Sequence, residues 1–346
     1  MPTIRTSPED FVVEELPLYV PEGRGPFLWL WVEKRLADTE AVARKIARAV
    51  GVAPKHVGYA GRKDRIAVAR QWFSVPASDR DPQDFDLADA RVLHTERHIH
   101  RLRVGELRGN RFTLRVRGVE REVADRAETR LDEMARRGMP NRYGPQRFGR
   151  RGDNAERGLE ILRGERRLGE RRHGWLMVSA LQSAVFNEVL RRRSHALDDI
   201  WTGDVIELHA TGEQMWASGT DEERRRAAEF EISATGPIFG TKMKRPQGRA
   251  AELEARVLAD FELPPIEELE PPAGVRMYGS RRPLRVRPRN TDHRLAGDDL
   301  ELRFDLPPGA YATILLEELF PDGYDESRGH GAPDDDPVDD GDAEAL

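Results

Sequence analysis

One short stretch concentrates the side chains able to do covalent chemistry. Gly58-Tyr59-Ala60-Gly61-Arg62-Lys63-Asp64-Arg65, followed by Gln71-Trp72-Phe73, sets a single carboxylate, Asp64, among three cations. Nearby positive charge favours the ionised carboxylate, so Asp64 is a candidate nucleophile or base at neutral pH. The same string also reads as a surface turn whose charges cancel. Gly109-Asn110-Arg111-Phe112 is a turn opening a strand, with Phe112 a core residue by default. Gly144-Pro145-Gln146-Arg147-Phe148-Gly149 suits either a phosphate-contacting loop or a linker between domains. His98 and His100 alternate along an expected strand, but no third ligand at suitable spacing completes a zinc or iron set, so no metal site is expected. The chain has no P-loop, GxGxxG, GxSxG or HExxH string, which argues against nucleoside triphosphatases, the usual dinucleotide oxidoreductases and zincins. With no cysteine it has neither a thiol nucleophile nor a thiolate metal site.

The elements that must position these residues are partly legible. Alternation marks strands at Phe11 to Val13, Phe27 to Glu33 and Phe112 to Arg117. Between them lies a helix that Thr39 caps, with Val42, Ile46 and Val50 on one face and Gly51 as its stop. Val57 to Tyr59 and Ile66 to Val75 read as strands, so 61–65 is a charged loop between two strands. Arg121 to Arg137 is helical and ends at Gly138, with Pro140 blocking continuation. A turn-rich stretch to Gly152 then precedes helical patterns at Asn154 to Leu162, Leu176 to Arg193 and Ala250 to Ala259. Strands return at Leu284 to Val286 and Leu300 to Leu306, before a helix from Tyr311 to Leu319. This order predicts a discontinuous α+β domain with a second domain inserted in it.

At 346 residues the chain has room for about two domains. Its longest early apolar run, Phe27 to Val32, is far shorter than the roughly 20 residues of a spanning helix, so no membrane partner is expected. The opening MPTIRTSPEDF lacks the apolar stretch of an export signal, which predicts a cytoplasmic protein. The net charge of −6 hides an asymmetry: residues 322–346 hold ten acids and one base, −9, which leaves +3 for the rest. Between Arg101 and Arg172 there are 21 arginines and 12 acids, a net +9. Such a region suits a phosphate-rich partner; the plainer reading is a solvated helix face with paired charges. From about Asp325 on, the Gly, Pro and Asp content predicts a disordered tail.

Beyond this point resemblance carries the argument. Pro8-Glu9-Asp10-Phe11-Val12-Val13-Glu14, then Ala60-Gly61-Arg62-Lys63-Asp64-Arg65 with Gln71-Trp72, then Arg103 to Gly109 leading into Asn110 and Phe112, closely resemble the TruD family of tRNA pseudouridine synthases. Met139-Pro140-Asn141-Arg142-Tyr143-Gly144-Pro145-Gln146-Arg147-Phe148-Gly149 resembles the family's PNxFGxQRFG element. Ser179-Ala180-Leu181-Gln182-Ser183 with Phe186-Asn187 resembles its SALQSxxFN helix. Gly236-Pro237-Ile238-Phe239-Gly240 and Leu306-Pro307-Pro308-Gly309-Ala310-Tyr311-Ala312-Thr313 complete the ordered series.

The resemblance implies a pseudouridine-synthase catalytic core, α+β with a mixed, largely antiparallel sheet, interrupted by an inserted TRUD α+β domain. The core is expected at 1–137 plus 286–324, the insertion at 138–285 and an acidic tail at 325–346. The implied reaction turns uridine into pseudouridine without metal or organic cofactor, with Asp64 as the catalytic aspartate. Lys63 is expected to assist electrostatically or to bind phosphate. Phe112 would line the uracil pocket, Asn110 would hydrogen-bond near the aspartate, and Phe11 and Tyr311 match further aromatic positions, the last where members carry phenylalanine. Arg147 is the expected RNA contact of its loop. The implied substrate is uridine 13 of transfer RNA, notably that for glutamate; neither DNA nor an obligate protein partner is implied. The competing reading is a non-catalytic RNA-binding or chaperone protein on the same scaffold. It would keep Arg147 and Phe148 but has no need of Asp64, so the presence of Asp64, Lys63, Asn110 and Phe112 together favours the enzyme.

Overall fold

The computed structural model describes residues 1–77, 82, 85–166, 171–193, 196–271, 275 and 277–326. Its largest sheet has eight strands: β2 (Phe11–Pro17), β3 (Phe27–Arg35), β4 (Gly58–Tyr59), β5 (Val68–Pro76), β6 (Ala90–His98), β7 (Leu107–Val116), β14 (Arg289–Ala296) and β15 (Asp299–Leu306). Their order is β14-β15-β7-β2-β5-β3-β6. Every neighbour on that path is antiparallel except β2 and β5, so the sheet is mixed and largely antiparallel. β5 carries two short neighbours along one edge. Its residues Val68 to Arg70 pair with β2, and Phe73 and Ser74 pair with β4, while β3 covers its other edge throughout. The 60–67 loop leaves β4 and enters β5 at this gap, so it emerges in the middle of the sheet.

The strand alternation decides which face is dry. Phe11 and Val13 of β2, Phe112 and Leu114 of β7 and Phe304 of β15 pack on α2 (Arg121–Arg137) and α7 (Ala312–Leu319). Farther along, Leu30, Val32, Phe73 and Val75 pack on α1 (Thr39–Val50). At about 2 kcal/mol for each large side chain removed from water, these contacts hold the sheet to its helices. The other face is polar over much of its width, where Arg91, Glu33, Arg70 and Glu14 bond one another across four strands.

A second set of elements comes from the middle of the chain. β10 (Gln214–Trp216), β9 (Val205–Leu208), β11 (Ile232–Ile238) and β12 (Ser280–Pro283) form an antiparallel sheet in that order. α3 (Asn154–Leu162), α4 (Arg171–Arg192) and α6 (Gly248–Asp260) share a core of Ile161, Val178, Leu181, Val185, Val257 and Leu258, and α5 (Asp221–Ala228) flanks β11. Where the chain enters and leaves this set, β8 (Met139–Pro140) pairs antiparallel with β13 (Arg285–Val286).

Two local expectations change. The cap of α1 is Asp38, whose carboxylate accepts from the Glu40 and Ala41 amides, and Thr39 is instead a buried first residue of the helix. Of the tail expected from 325, Asp325–Glu326 form β16, parallel to β1 (Thr3–Ile4); residues 327–346 lie outside the described residues.

Candidate active site

The loop bearing Asp64 is fixed from several directions by side chains of surrounding elements. The Gln71 amide on β5 donates to the Gly61 carbonyl at 3.0 Å. Its oxygen accepts from the Thr39 hydroxyl at 3.0 Å, and Thr39 Oγ1 accepts from the Lys63 amide at 3.0 Å. Lys34, fully buried on β3, donates through Nζ to the carbonyls of Lys63 (3.2 Å), Asp64 (2.8 Å) and Ala37 (2.7 Å). Arg62 is tied to Glu40 on α1. With its backbone anchored on both sides, the Asp64 carboxylate remains 40% exposed.

Among the described residues that carboxylate bonds Arg5, whose Nη2 lies 3.0 Å from Asp64 Oδ2. Arg5 is itself buried, sits with its guanidinium 4.0 Å above the Phe11 ring and gives Nη1 to Glu326 of β16. Burial pulls Lys34 down to about 8, and Lys63 adds to the lowering, while Asp64 and Asp38 pull the other way. An amine whose charge is so near release, beneath the loop of the exposed carboxylate, is a feature of functional sites more than of structural ones.

The structure brings Phe11, Asn110 and Phe112 to the same side of the sheet. Register places Phe112 opposite Val13 and Asn110 opposite Glu15. Phe11 meets Phe112 edge-on at 6.1 Å, and Phe112 stacks on Phe304 at 5.3 Å. Phe112 is thus partly committed to the core, as its strand position alone suggested. Asn110 Oδ1 is buried and has no hydrogen-bond partner among the described residues. A buried acceptor left open costs about 1–3 kcal/mol, so it marks a place where a donor from outside would be welcome.

Of the two roles expected of Lys63, binding phosphate does not fit its placement: its side chain is 2% exposed and Nζ bonds Glu15 Oε2 at 3.0 Å, which makes it a buried strut under the loop. Asp64 is directed to Arg5, and its neighbour Lys63 projects onto β2 instead. Arg147 also turns inward, donating to Ser183 Oγ at 3.1 Å and to Ser179 Oγ, both on α4. Its loop is therefore a fastening. Asn187 of α4 bonds both the amide and the carbonyl of Tyr143, at 2.8 and 2.9 Å, so the two motifs hold one another. Tyr311 caps α7 and meets the Tyr143 ring at 6.3 Å, at the boundary of two hydrophobic clusters. His98 and His100 do come together, Nε2 to Nε2 at 3.1 Å, and no group of three or more metal-binding side chains occurs among the described residues.

Arg5, Glu15, Lys34 and Thr39 escaped the sequence reading of the site because they lie far along the chain from the residues they serve. Only Lys34 had a local signal: it shares the strand parity of Leu28, Leu30 and Val32, the dry face of β3.

A mixed sheet split at its centre, an aspartate loop in the gap and a second set of elements entered and left through β8 and β13 define a pseudouridine-synthase fold. A crystal structure of a Methanosarcina mazei protein assigned to tRNA pseudouridine synthase D (TruD) superposes with a TM-score of 0.73, covering 91% of this chain and 92% of that one; at 22% identity the likeness speaks for the fold. Sequence similarity goes further. The family described as tRNA pseudouridine synthase D (TruD) matches residues 2–168 and 171–319. A tRNA pseudouridine synthase D of Thermus thermophilus is 39% identical over 340 residues, 96% of this chain and 92% of its own. That of Geobacter sp. (strain M21) is 36% identical over 380 residues, 91% of this chain and 95% of its own. The chain belongs to the tRNA pseudouridine synthase D (TruD) family.

Proposed function

We propose that this protein isomerises uridine 13 of transfer RNA, notably that for glutamate, to pseudouridine with Asp64 as the catalytic carboxylate. The observation that carries the reading is the setting of Asp64: a 40% exposed carboxylate, paired with a buried arginine, on a loop tied down at Gly61, Lys63 and Asp64 itself. Such a group enters the reaction already oriented, which is where much of an enzyme's advantage over water arises.

The reaction balances within the nucleotide. The N1–C1′ bond breaks, a C5–C1′ bond forms, C5 loses a proton to solvent and N1 gains one. The protein must therefore supply a group that adds to the sugar or base and departs, or that takes a sugar proton. It must also provide a pocket in which the freed uracil turns without escaping. Asp64 fills the first role. Phe11, Phe112 and Tyr311 are assigned to the pocket wall, replacing the stacking that an extruded base gives up. Asn110 accepts a hydrogen bond from the base through its open amide oxygen. Residues 138–285 are assigned as the insertion on the core formed by 1–137 and 286–324, in line with the pairing of β8 and β13.

Incubation with unmodified transfer RNA for glutamate, followed by carbodiimide-stop sequencing, tests this. The wild type should give a new stop at uridine 13, and Asp64→Ala should lower the rate at least about 1000-fold while still binding RNA. A stop elsewhere overturns the assigned position, and no stop in any transfer RNA, with binding retained, overturns the catalytic reading.

A further inference from the structure

Between 139 and 285 three large apolar side chains stand exposed among the described residues: Met215 at 43%, Trp216 at 47% and Tyr278 at 51%. Two lysines lie on the two rings. Lys244 Nζ is 4.3 Å from the centre of Trp216, and Lys242 Nζ is 4.3 Å from that of Tyr278. The patch is continuous, because the 241–245 turn runs from one ring to the other. The Lys242 amide bonds the Tyr278 carbonyl at 2.7 Å, and Trp216 Nε1 donates to the Arg245 carbonyl at 2.8 Å. The turn is also held rigidly. A Cβ on Gly240 would fall 2.3 Å from the Gly279 amide nitrogen, so the strands on either side approach as closely as backbones allow.

Charge marks this patch as well as its rings. Within the same turn Arg245 pairs with Glu267. Neither Lys242 nor Lys244 has a carboxylate partner among the described residues; besides the ring, Lys244 bonds only the Gln214 carbonyl, at 2.6 Å. Two rigidly mounted, half-exposed rings with uncompensated ammonium groups are the components of a single-strand nucleic-acid platform: a base lies on a ring while the cation meets the adjoining phosphate. Two ammonium groups held beside exposed rings suit a polyanion with stackable bases better than an apolar protein neighbour.

We propose that Trp216, Tyr278, Lys242 and Lys244 form a docking surface for unpaired nucleotides of the substrate RNA, adding affinity without taking part in the chemistry. The inference rests on the reading of the protein as an enzyme acting on RNA, and its test separates the two. Affinity of the full chain for unmodified transfer RNA for glutamate is measured at several salt concentrations, together with the single-turnover rate at saturating enzyme. Trp216→Ala with Tyr278→Ala should weaken binding by at least about 30-fold, the loss of two stacked bases. Lys242→Ala with Lys244→Ala should lower the slope of log affinity on log salt by about 1.4, the loss of two single-strand phosphate contacts. The saturated rate should stay within about twofold of wild type in each, and Trp216→Phe should recover most of the binding lost in Trp216→Ala, which excludes misfolding as the cause.

Unchanged affinity and salt slope in variants of an active wild type overturn the docking surface and leave the enzyme reading standing. A fall in saturated rate with unchanged affinity overturns it too. So does unchanged RNA binding with loss of self-association by sedimentation, which would make the patch a protein contact. A wild type that makes no pseudouridine yet loses RNA binding in these variants overturns the enzyme reading and supports the surface.

Discussion

Lys34 is the residue on which the site's geometry and its charge both depend. Its three carbonyl acceptors include those of Lys63 and Asp64, so its position sets the height of the loop. Burial pulls it down to about 8, well below the 10.5 usual for lysine. Between those two values the unfolded chain holds a proton that the folded chain has released. This group's contribution to stability therefore rises as pH climbs through that window, and below about 8 the folded protein bears the cost of a buried charge. Lys34→Met should abolish that rise, read as the difference between wild type and variant in urea unfolding at about pH 7.5 and about pH 9.5. Identical pH dependence in the two would show that Lys34 keeps its charge across the range. The Asp64 loop stood out because its charges are contiguous, whereas Phe11, Asn110 and Phe112 were singled out only by the family resemblance, since their shared face depends on the register of β2 and β7. Arg5 was not legible: an isolated cation before Ser7-Pro8 has nothing to distinguish it from a surface arginine until β1 and β16 bring it over Phe11.

The same contrast between local and distant causes holds for the elements. α2 runs from Arg121 to Arg137 and α3 from Asn154 to Leu162, the spans that periodicity and the stop at Gly138 predict. β9 to β12 were scarcely visible. All of β11 is buried, including Ser233, Thr235 and Gly236, so it carries no polar alternation to betray a strand. Helix packing makes one glycine diagnostic. Gly158 lies inside α3, where replacing glycine by alanine ordinarily stabilises a helix by about 1 kcal/mol. Here the added methyl would sit 2.3 Å from the Met177 carbonyl oxygen and 3.1 Å from Leu181 Cβ, both on α4. Backbone cannot step aside as a flexible side chain does, so the steric cost outweighs the propensity gain. Gly158→Ala should destabilise by about 1–3 kcal/mol, seen as a lower urea midpoint with the slope of the transition unchanged. A stabilised variant would mean that α3 slides on α4 at little cost.

At the scale of the whole molecule, the two sets of elements meet at a joint built from the family motifs, and Arg282 is its centre. From β12 its guanidinium donates to the Asn141 carbonyl at 3.2 Å, to the Asn141 side chain, and at 2.6 Å to the Gly309 carbonyl in the loop that leads into α7. It also lies 4.3 Å above the Tyr143 ring. One cation thus ties the strand that closes the second sheet to the segment that enters that set and to the loop that carries Tyr311. Arg282→Met keeps the apolar stem over Tyr143 and leaves the three acceptors without their donor. The expected cost is about 2–4 kcal/mol, as for other half-buried charged hydrogen-bond centres. Because the loss falls on the joint, amide hydrogen exchange should speed up at 141–144 and 309–315 and stay at the wild-type rate in the β5–β3–β6 ladder. In calorimetry the single transition should broaden or split, since the two cores lose a shared anchor while each keeps its own packing. Uniformly faster exchange throughout the large sheet would instead mean that both sets unfold as one unit, with Arg282 one more contact in a common core.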